Sequence, residues 1–401
     1  MKKLLWVGDA ACPSGFAQAT HKTLETLKDH YDVTVLGINY RGDPYDYPYP
    51  IYAAAAGGDQ LGINRLIWMC ANFEPDLIVL QNDPWQIPLY LRQLQQYPEH
   101  RHIPVIASLA VDGKNQQGMN HLNGLSLAIF WSEFGQREAR KAGYTGPSTV
   151  IPLGVDLDTY YPIDKTQARL NRKLDFVKDK FIVGNVNRNQ PRKRWDLTIE
   201  YFAEWVKAEK IKDARLYFHT APTGDVGCDV KQLVKYYGIL DMLLLREPQV
   251  WYGDSDEAMR ETYNCFDVQV STTQGEGFGL TTFEGMACGV PQIVPDWAAL
   301  GEHARNAALL VPCTSTAIGW PYLNIIGGIA DKAGFIKALS LMYHDHNVRE
   351  EFRALGFVRV MDDKLRWPNI GERWVKELAQ IEAKHTEIEW KDLGRPEEVT
   401  T

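Results

Sequence analysis

The sequence has no apolar run approaching the ~18 residues that would cross a bilayer, and Lys2 and Lys3 lead straight into the short strand-like Leu4–Val7. No membrane span is expected, and a cytoplasmic location is. Paired cysteines are also lacking: Cys12, Cys70, Cys228, Cys265, Cys288 and Cys313 are scattered, with neither a CxxC pair nor Cys/His ligand spacing. That argues against a disulfide framework and a zinc site, and leaves buried free thiols. Positive charge is in deficit, 43 Lys and Arg against 51 Asp and Glu, for a formal net charge of -8. The balance argues against a partner held mainly through phosphate contacts, without excluding a local basic groove. Short-period repeats and low-complexity blocks are missing too.

What is present is ordinary globular material, 45% hydrophobic and 23% charged, over 401 residues. A single core usually stops growing below that length, so two domains are expected. Short apolar runs at 4–7, 33–36, 77–80, 105–109, 127–131 and 150–152 alternate with helix-like stretches. This is the pattern of parallel strands joined by crossover helices. The rhythm restarts after the polar stretch 156–180, with runs at 181–186, 214–219, 242–245, 268–272, 292–295 and 308–311. The expected fold is α/β, with doubly wound Rossmann-like domains at 1–155 and 156–366. Residues 367–401 carry a helix with apolar spacing at Ile370, Trp374, Leu378 and Ile381, expected to return to the first domain, then a loose tail after Lys384. Ligands of such sheets lie beyond the carboxyl ends of the strands.

Residues 267–295 parse as strand, glycine loop, helix, turn and strand. Gly275, Gly277 and Gly279 let the backbone approach a ligand closely, and a helix starting near Leu280 or Thr281 offers unpaired N–H groups to an anion. The dinucleotide fingerprint GxGxxG fails because leucine stands at 280, and no glycine-lysine-serine or glycine-lysine-threonine completes a Walker loop. Two carboxylates remain, Glu276 in the loop and Glu284 in the helix. They are either solvated charges or groups that reach two hydroxyl-bearing parts of a ligand whose charged part lies between them.

Glu276-Gly-Phe-Gly-Leu280 followed by Phe283-Glu-Gly-Met-Ala-Cys-Gly-Val-Pro291 resembles the E-x7-E signature of retaining family 4 glycosyltransferases of GT-B fold. The resemblance implies two domains facing a central cleft, no cofactor, and a UDP- or GDP-linked sugar as co-substrate. It implies that Glu276 faces the donor sugar, that the amides of Gly277, Phe278, Gly279, Leu280 and Thr281 hold sugar hydroxyls and phosphate, and that Glu284 binds the ribose. The family places an arginine and a lysine after the second domain's first strand, which Arg188 and Lys193 match; Arg192 and Arg194 fit less clearly. Fixed cations there stabilise the departing diphosphate without a metal. Asp156-Leu-Asp158 and Asp254-Ser-Asp256 do not directly follow a strand, so no divalent ion is assigned. In the first domain Gly15 and Phe16 open the helix after strand one, as either scaffold or donor-phosphate contact. Asp112, beyond a buried strand, is either a turn carboxylate or the family's histidine or aspartate near the sugar. Retention permits a carboxylate nucleophile or front-face substitution in which the departing phosphate takes the acceptor proton.

The stretch Tyr40–Tyr52, with Tyr45 and Tyr47, and the nearby Trp85 form an aromatic, proline-stiffened rim that either packs as a rigid loop or stacks on the acceptor. Gln81–Trp85, Val111–Asn115 and Asn185–Lys193 resemble phage-encoded family 4 members, some associated with modified DNA bases. That resemblance implies a 5-hydroxymethylpyrimidine in DNA as acceptor, flipped from the helix, and a host cytoplasm as location. Alternatives are a cell-envelope glycan, glycolipid or small-molecule acceptor, an inactive sugar- or nucleic-acid-binding module, and an epimerase or phosphorylase of similar architecture.

Overall fold

The computed structural model describes residues 1–384 apart from 56, 222, 224–225, 247–252 and 321–322, so the expected tail lies outside the described residues. The first sheet comprises β1 (Lys2–Asp9), β2 (Tyr31–Ile38), β3 (Ile51–Ala53), β4 (Leu77–Asn82), β5 (Val105–Leu109), β6 (Leu127–Phe130) and β7 (Ser148–Val150). Its strands are parallel in the order β3-β2-β1-β4-β5-β6-β7. The second comprises β8 (Phe181–Val186), β9 (Ala214–His219), β10 (Leu243–Arg246), β11 (Val268–Val270), β12 (Gln292–Asp296), β13 (Leu309–Trp320) and β14 (Ile325–Ala330). It runs β10-β9-β8-β11-β12-β13-β14, parallel except for the β13–β14 hairpin. The two doubly wound α/β domains expected from the sequence are therefore present.

Helices on both faces explain why the central strands read as unbroken apolar runs. In β1, Leu4 and Trp6 join one core and Leu5 and Val7 the other, and all four are buried. The helix Trp367–Lys384 lies on the first domain, against the helix Gly15–Leu27. The Trp374 and Trp6 rings are 5.4 Å apart, and Arg373 donates to the Val150 carbonyl at 2.5 Å. A Cβ on Gly371 would stand 2.1 Å from Thr26 Oγ1, so the small residue sets this helix approach.

Three strands depart from the sequence expectation. β3 begins at the end of the Tyr40–Tyr52 stretch and pairs with β2 at the sheet edge. β13 continues far past residue 311 and turns into β14, where Gly327 and Gly328 mask the strand signal.

Candidate active site

The loop after β11 is folded by contact between the domains. A Cβ on Gly275 would stand 1.6 Å from the Asp112 carbonyl oxygen, and one on Gly277 would stand 2.7 Å from Ala110 Cβ. Gly275 and Gly277 are thus required by the opposite domain's backbone, a reason different from the close ligand approach expected of them. Gly279 has φ +105° and precedes the helix Leu280–Ala287, a conformation that favours glycine. The Leu280 and Thr281 amides lie in that helix's first turn, outside its own hydrogen-bond ladder. Across the cleft the helix Gly15–Leu27 begins, and a Cβ on Gly15 would lie 3.3 Å from Leu280 Cδ1. Two helix N-termini therefore converge, a setting that favours an anion.

Side chains separate the named loop residues. Phe278 is buried, stacked on Phe283 with ring centroids 4.8 Å apart, which leaves its backbone for a ligand. Phe16 packs on Trp131 at 5.2 Å, and its carbonyl accepts from Gln81 Nε2 at 2.7 Å. This is a scaffold arrangement for its ring.

Between the domains lies a four-residue charge cluster. Lys193 Nζ donates to Glu276 Oε1 at 2.5 Å, and Arg192 Nη1 reaches Glu276 Oε2 at 3.3 Å and the Gly275 carbonyl at 3.0 Å. Arg192 Nε also faces Asp112 Oδ2 at 3.6 Å. Burial alone would raise the Glu276 carboxyl, but Lys193 and Arg192 outweigh it and hold the group at about 2. Burial, then the Arg192 charge, lowers Lys193 to about 8 against the pull of Glu276. Asp112, Lys193 and Glu276 are brought together; Arg188 is exposed at the mouth, where its charge acts on Asp9. Arg192, which fitted less clearly in the sequence, is the hub of the cluster. Arg194 leaves it to pair with Asp196 at 2.7 Å, because a left-handed turn at φ +51° redirects the chain into the next helix.

Glu284 sits in different company. Its buried carboxylate accepts from Tyr263 Oη at 2.5 Å and, across the domain boundary, from Gln18 Nε2 at 3.0 Å. Burial raises its pKa in spite of these donors, helped by the Asp256 and Asp156 charges. Gln18 has no sequence signal beyond its place on the first helix, and Tyr263 has none beyond the helix Asp256–Asn264 that carries it.

The aromatic rim is largely tied down. Tyr47 stacks on His21 at 3.6 Å, Tyr49 Oη meets His21 Nδ1 at 2.8 Å, and Tyr45 Oη accepts from the Ile51 amide at 2.9 Å. Tyr45 and Tyr47 are therefore ladder members, with one Tyr47 face already covered, yet they stay 36% and 38% exposed beside Trp85 at 44%. Beside Trp85, Asp83 is pushed up to about 7, first by burial and then by the Asp112 charge.

Among the described residues no group of three or more His, Cys, Asp or Glu could hold a metal ion. Asp156 instead accepts from the Thr159 hydroxyl and pairs with Lys22, and Asp254 pairs with Arg172 at 2.9 Å. All six cysteines are free; Cys70, Cys265 and Cys288 are buried. His219, at the end of β9, is buried with an unpartnered Nδ1, and burial lowers it to about 4. No helix among the described residues is long and apolar enough to cross a membrane.

Residues 178–319 match the family described as Glycosyl transferases group 1. The chain is 35% identical over 162 residues to D-inositol 3-phosphate glycosyltransferase of Geodermatophilus obscurus, a match covering 39% of this chain and 34% of that protein. The chain thus spans about a third of the length of the curated relatives it matches. Among solved structures, sucrose-phosphate synthase from Thermosynechococcus elongatus superposes with a TM-score of 0.76 at 18% identity, over 96% of this chain and all of that one. Anabaena HepE in complex with UDP-glucose superposes with a TM-score of 0.72 at 15% identity, over 95% of this chain and 100% of that one. The fold is GT-B, and the second domain carries a glycosyltransferase group 1 segment.

Proposed function

We propose that the protein is a retaining glycosyltransferase that moves a sugar from a nucleotide diphosphate to a hydroxyl acceptor. The observation that carries this reading is the Asp112–Arg192–Glu276–Lys193 cluster, set between two facing helix N-termini within the group 1 segment and its partner domain. Lys193, Arg188 and the Leu280 and Thr281 amides face the charge that builds on the departing diphosphate. Glu276 accepts from donor-sugar hydroxyls, and Glu284 exchanges a present partner for the ribose hydroxyls. Asp112 stabilises positive charge developing at the anomeric carbon. The bond from the sugar to the diphosphate oxygen breaks as the acceptor oxygen bonds the same carbon on the same face, and the acceptor proton passes to the departing phosphate. A UDP-linked donor is the first choice, because UDP-glucose is the ligand named for Anabaena HepE.

For the acceptor we favour a neutral polyhydroxy compound, a sugar or glycan hydroxyl. On the first-domain side of the cleft Asp83 lies in the fields of Asp112 and Asp9, and an acceptor phosphate would add like charge. A hydroxymethylated DNA base gains little support: Tyr45 and Tyr47 are engaged in their own ladder, and the face is acidic. The test is mass spectrometry of products from UDP- and GDP-hexoses with neutral sugars, sugar phosphates and hydroxymethylcytosine DNA. Transfer to a neutral sugar with the donor's anomeric configuration kept is expected. Inversion would overturn the retaining assignment, transfer only to phosphorylated acceptors or DNA would overturn the acceptor, and no donor consumed would overturn the enzyme.

A further inference from the structure

The β13–β14 hairpin leaves the second domain and is built into the site. Residues 309–312 of β13 pair with β12, but 313–320 pair only with β14, a reach of roughly 25 Å at ~3.3 Å per residue. β14 lies beyond the matched segment 178–319.

β14 bonds the two loops that carry the two central carboxylates, at the same offset from each. On one side Ile326 exchanges both backbone bonds with Lys114, at 2.9 and 3.0 Å, two residues past Asp112. On the other the Gly328 amide donates to the Gln274 carbonyl at 2.8 Å, two residues before Glu276. Gln274 in turn donates its own amide to the Arg192 carbonyl at 2.7 Å. Asn115 Nδ2 adds a bond to the Asn324 carbonyl at 3.0 Å, and the Lys114 ammonium lies 4.3 Å from the Trp297 ring centre. The fit allows no bulk: a Cβ on Gly113, Gly327 or Gly328 would stand 2.6, 2.5 or 2.5 Å from Ile325, Gln274 or Trp297.

We propose that β14 is a positioning strand for the reaction: it sets the separation of Asp112 and Glu276, one from each domain, by pairing with both of their loops at once. This rests on the glycosyltransferase reading of the cluster. Neither Ile326 nor Gly328 touches a reacting group, so the effect passes through Lys114 and Gln274. Misplacing a catalytic group by about 1 Å can cost on the order of 10²-fold in rate, and the Ile326–Lys114 pair is the contact whose loss frees the Asp112 loop.

The test compares Ile326→Pro, which removes the amide donated to Lys114, with Ile326→Val, which keeps it. Expected for Ile326→Pro is a fall in kcat of about 30- to 100-fold, a nucleoside diphosphate Kd within twofold of the parent, and faster hydrogen exchange at the Lys114 amide, whose bond to the residue 326 carbonyl is kept by proline and opens only when the strand is displaced. Ile326→Val should match the parent in all three. Should Ile326→Pro fail to fold, Asn115→Ala, which removes one exposed bond, should lower kcat about threefold at unchanged Kd. Unchanged kcat in both variants, or Kd weakened as much as kcat falls, overturns the inference. If the parent consumes no nucleotide sugar, the functional reading fails separately. Lys114 exchange and the radius of gyration then decide the strand's role, and no change in either for Ile326→Pro overturns it.

Discussion

Glu276 and Glu284 belong to one short motif, yet their surroundings are opposite. Glu276 is held by two cations, Lys193 and Arg192, and its carboxyl lies far below the ordinary range. Glu284 is held by two neutral donors, Tyr263 and Gln18, and its carboxyl lies above it. A carboxylate locked to cations keeps its charge where charge is moving. One held by a hydroxyl and an amide can trade those partners for ligand hydroxyls at little cost. The contrast is what the proposed function uses in giving chemistry to the first and nucleotide binding to the second.

The largest test of the contrast is Lys193→Ala. It strips Glu276 of its closest cation and the diphosphate of a stabiliser, so kcat should fall by about 10²- to 10³-fold with a much smaller change in nucleotide Kd. A Kd that weakens as steeply as kcat falls would merge the two ends of the motif. Next, Glu284→Ala should weaken nucleoside diphosphate binding by about 10- to 30-fold, on the scale of charge-assisted hydrogen bonds. Calorimetry reads this directly, and unchanged affinity would remove the ribose assignment. Smaller again is Tyr263→Phe, which leaves one Glu284 oxygen without its buried donor. Nucleotide Kd should change about threefold or less while the melting temperature drops by a few degrees, reflecting about 1–2 kcal/mol for the unmet group.

Part of this contrast could be read without coordinates. Strands such as β1, β5 and β8 are buried on both faces, so they appear as plain apolar runs, and the loop-helix motif is contiguous in sequence. The partners of its two glutamates are not. Gln18 lies 266 positions from Glu284, and Arg192 outranks its neighbour Arg194 only because a left-handed turn sends the latter toward Asp196. The packing of the aromatic rim was hidden for a related reason: His21, which covers one face of Tyr47, comes from another element. Gly275 and Gly277 were recognised as close-approach positions, but what approaches them is the other domain.

The finest distinction is in pH. In the free protein Lys193 is lowered to about 8 by burial and Arg192, and kcat/KM reports groups of the free enzyme. As pH rises through about 8, kcat/KM should halve and then fall about tenfold per unit as the ammonium is lost. A bound diphosphate raises Lys193 by adding negative charge beside it, so the same limb in kcat should lie at higher pH. Lys193→Arg should abolish the limb whatever its absolute rate, since a guanidinium keeps its proton. Unfolding does not mimic the effect. Because Lys193 lies below its ordinary 10.5 in the folded chain, the unfolded chain binds more protons between about 8 and 10.5, and this group makes folding more favourable as pH rises through that window. A limb that stays put in Lys193→Arg would assign the titration to another group and leave Glu276 with a permanent cation.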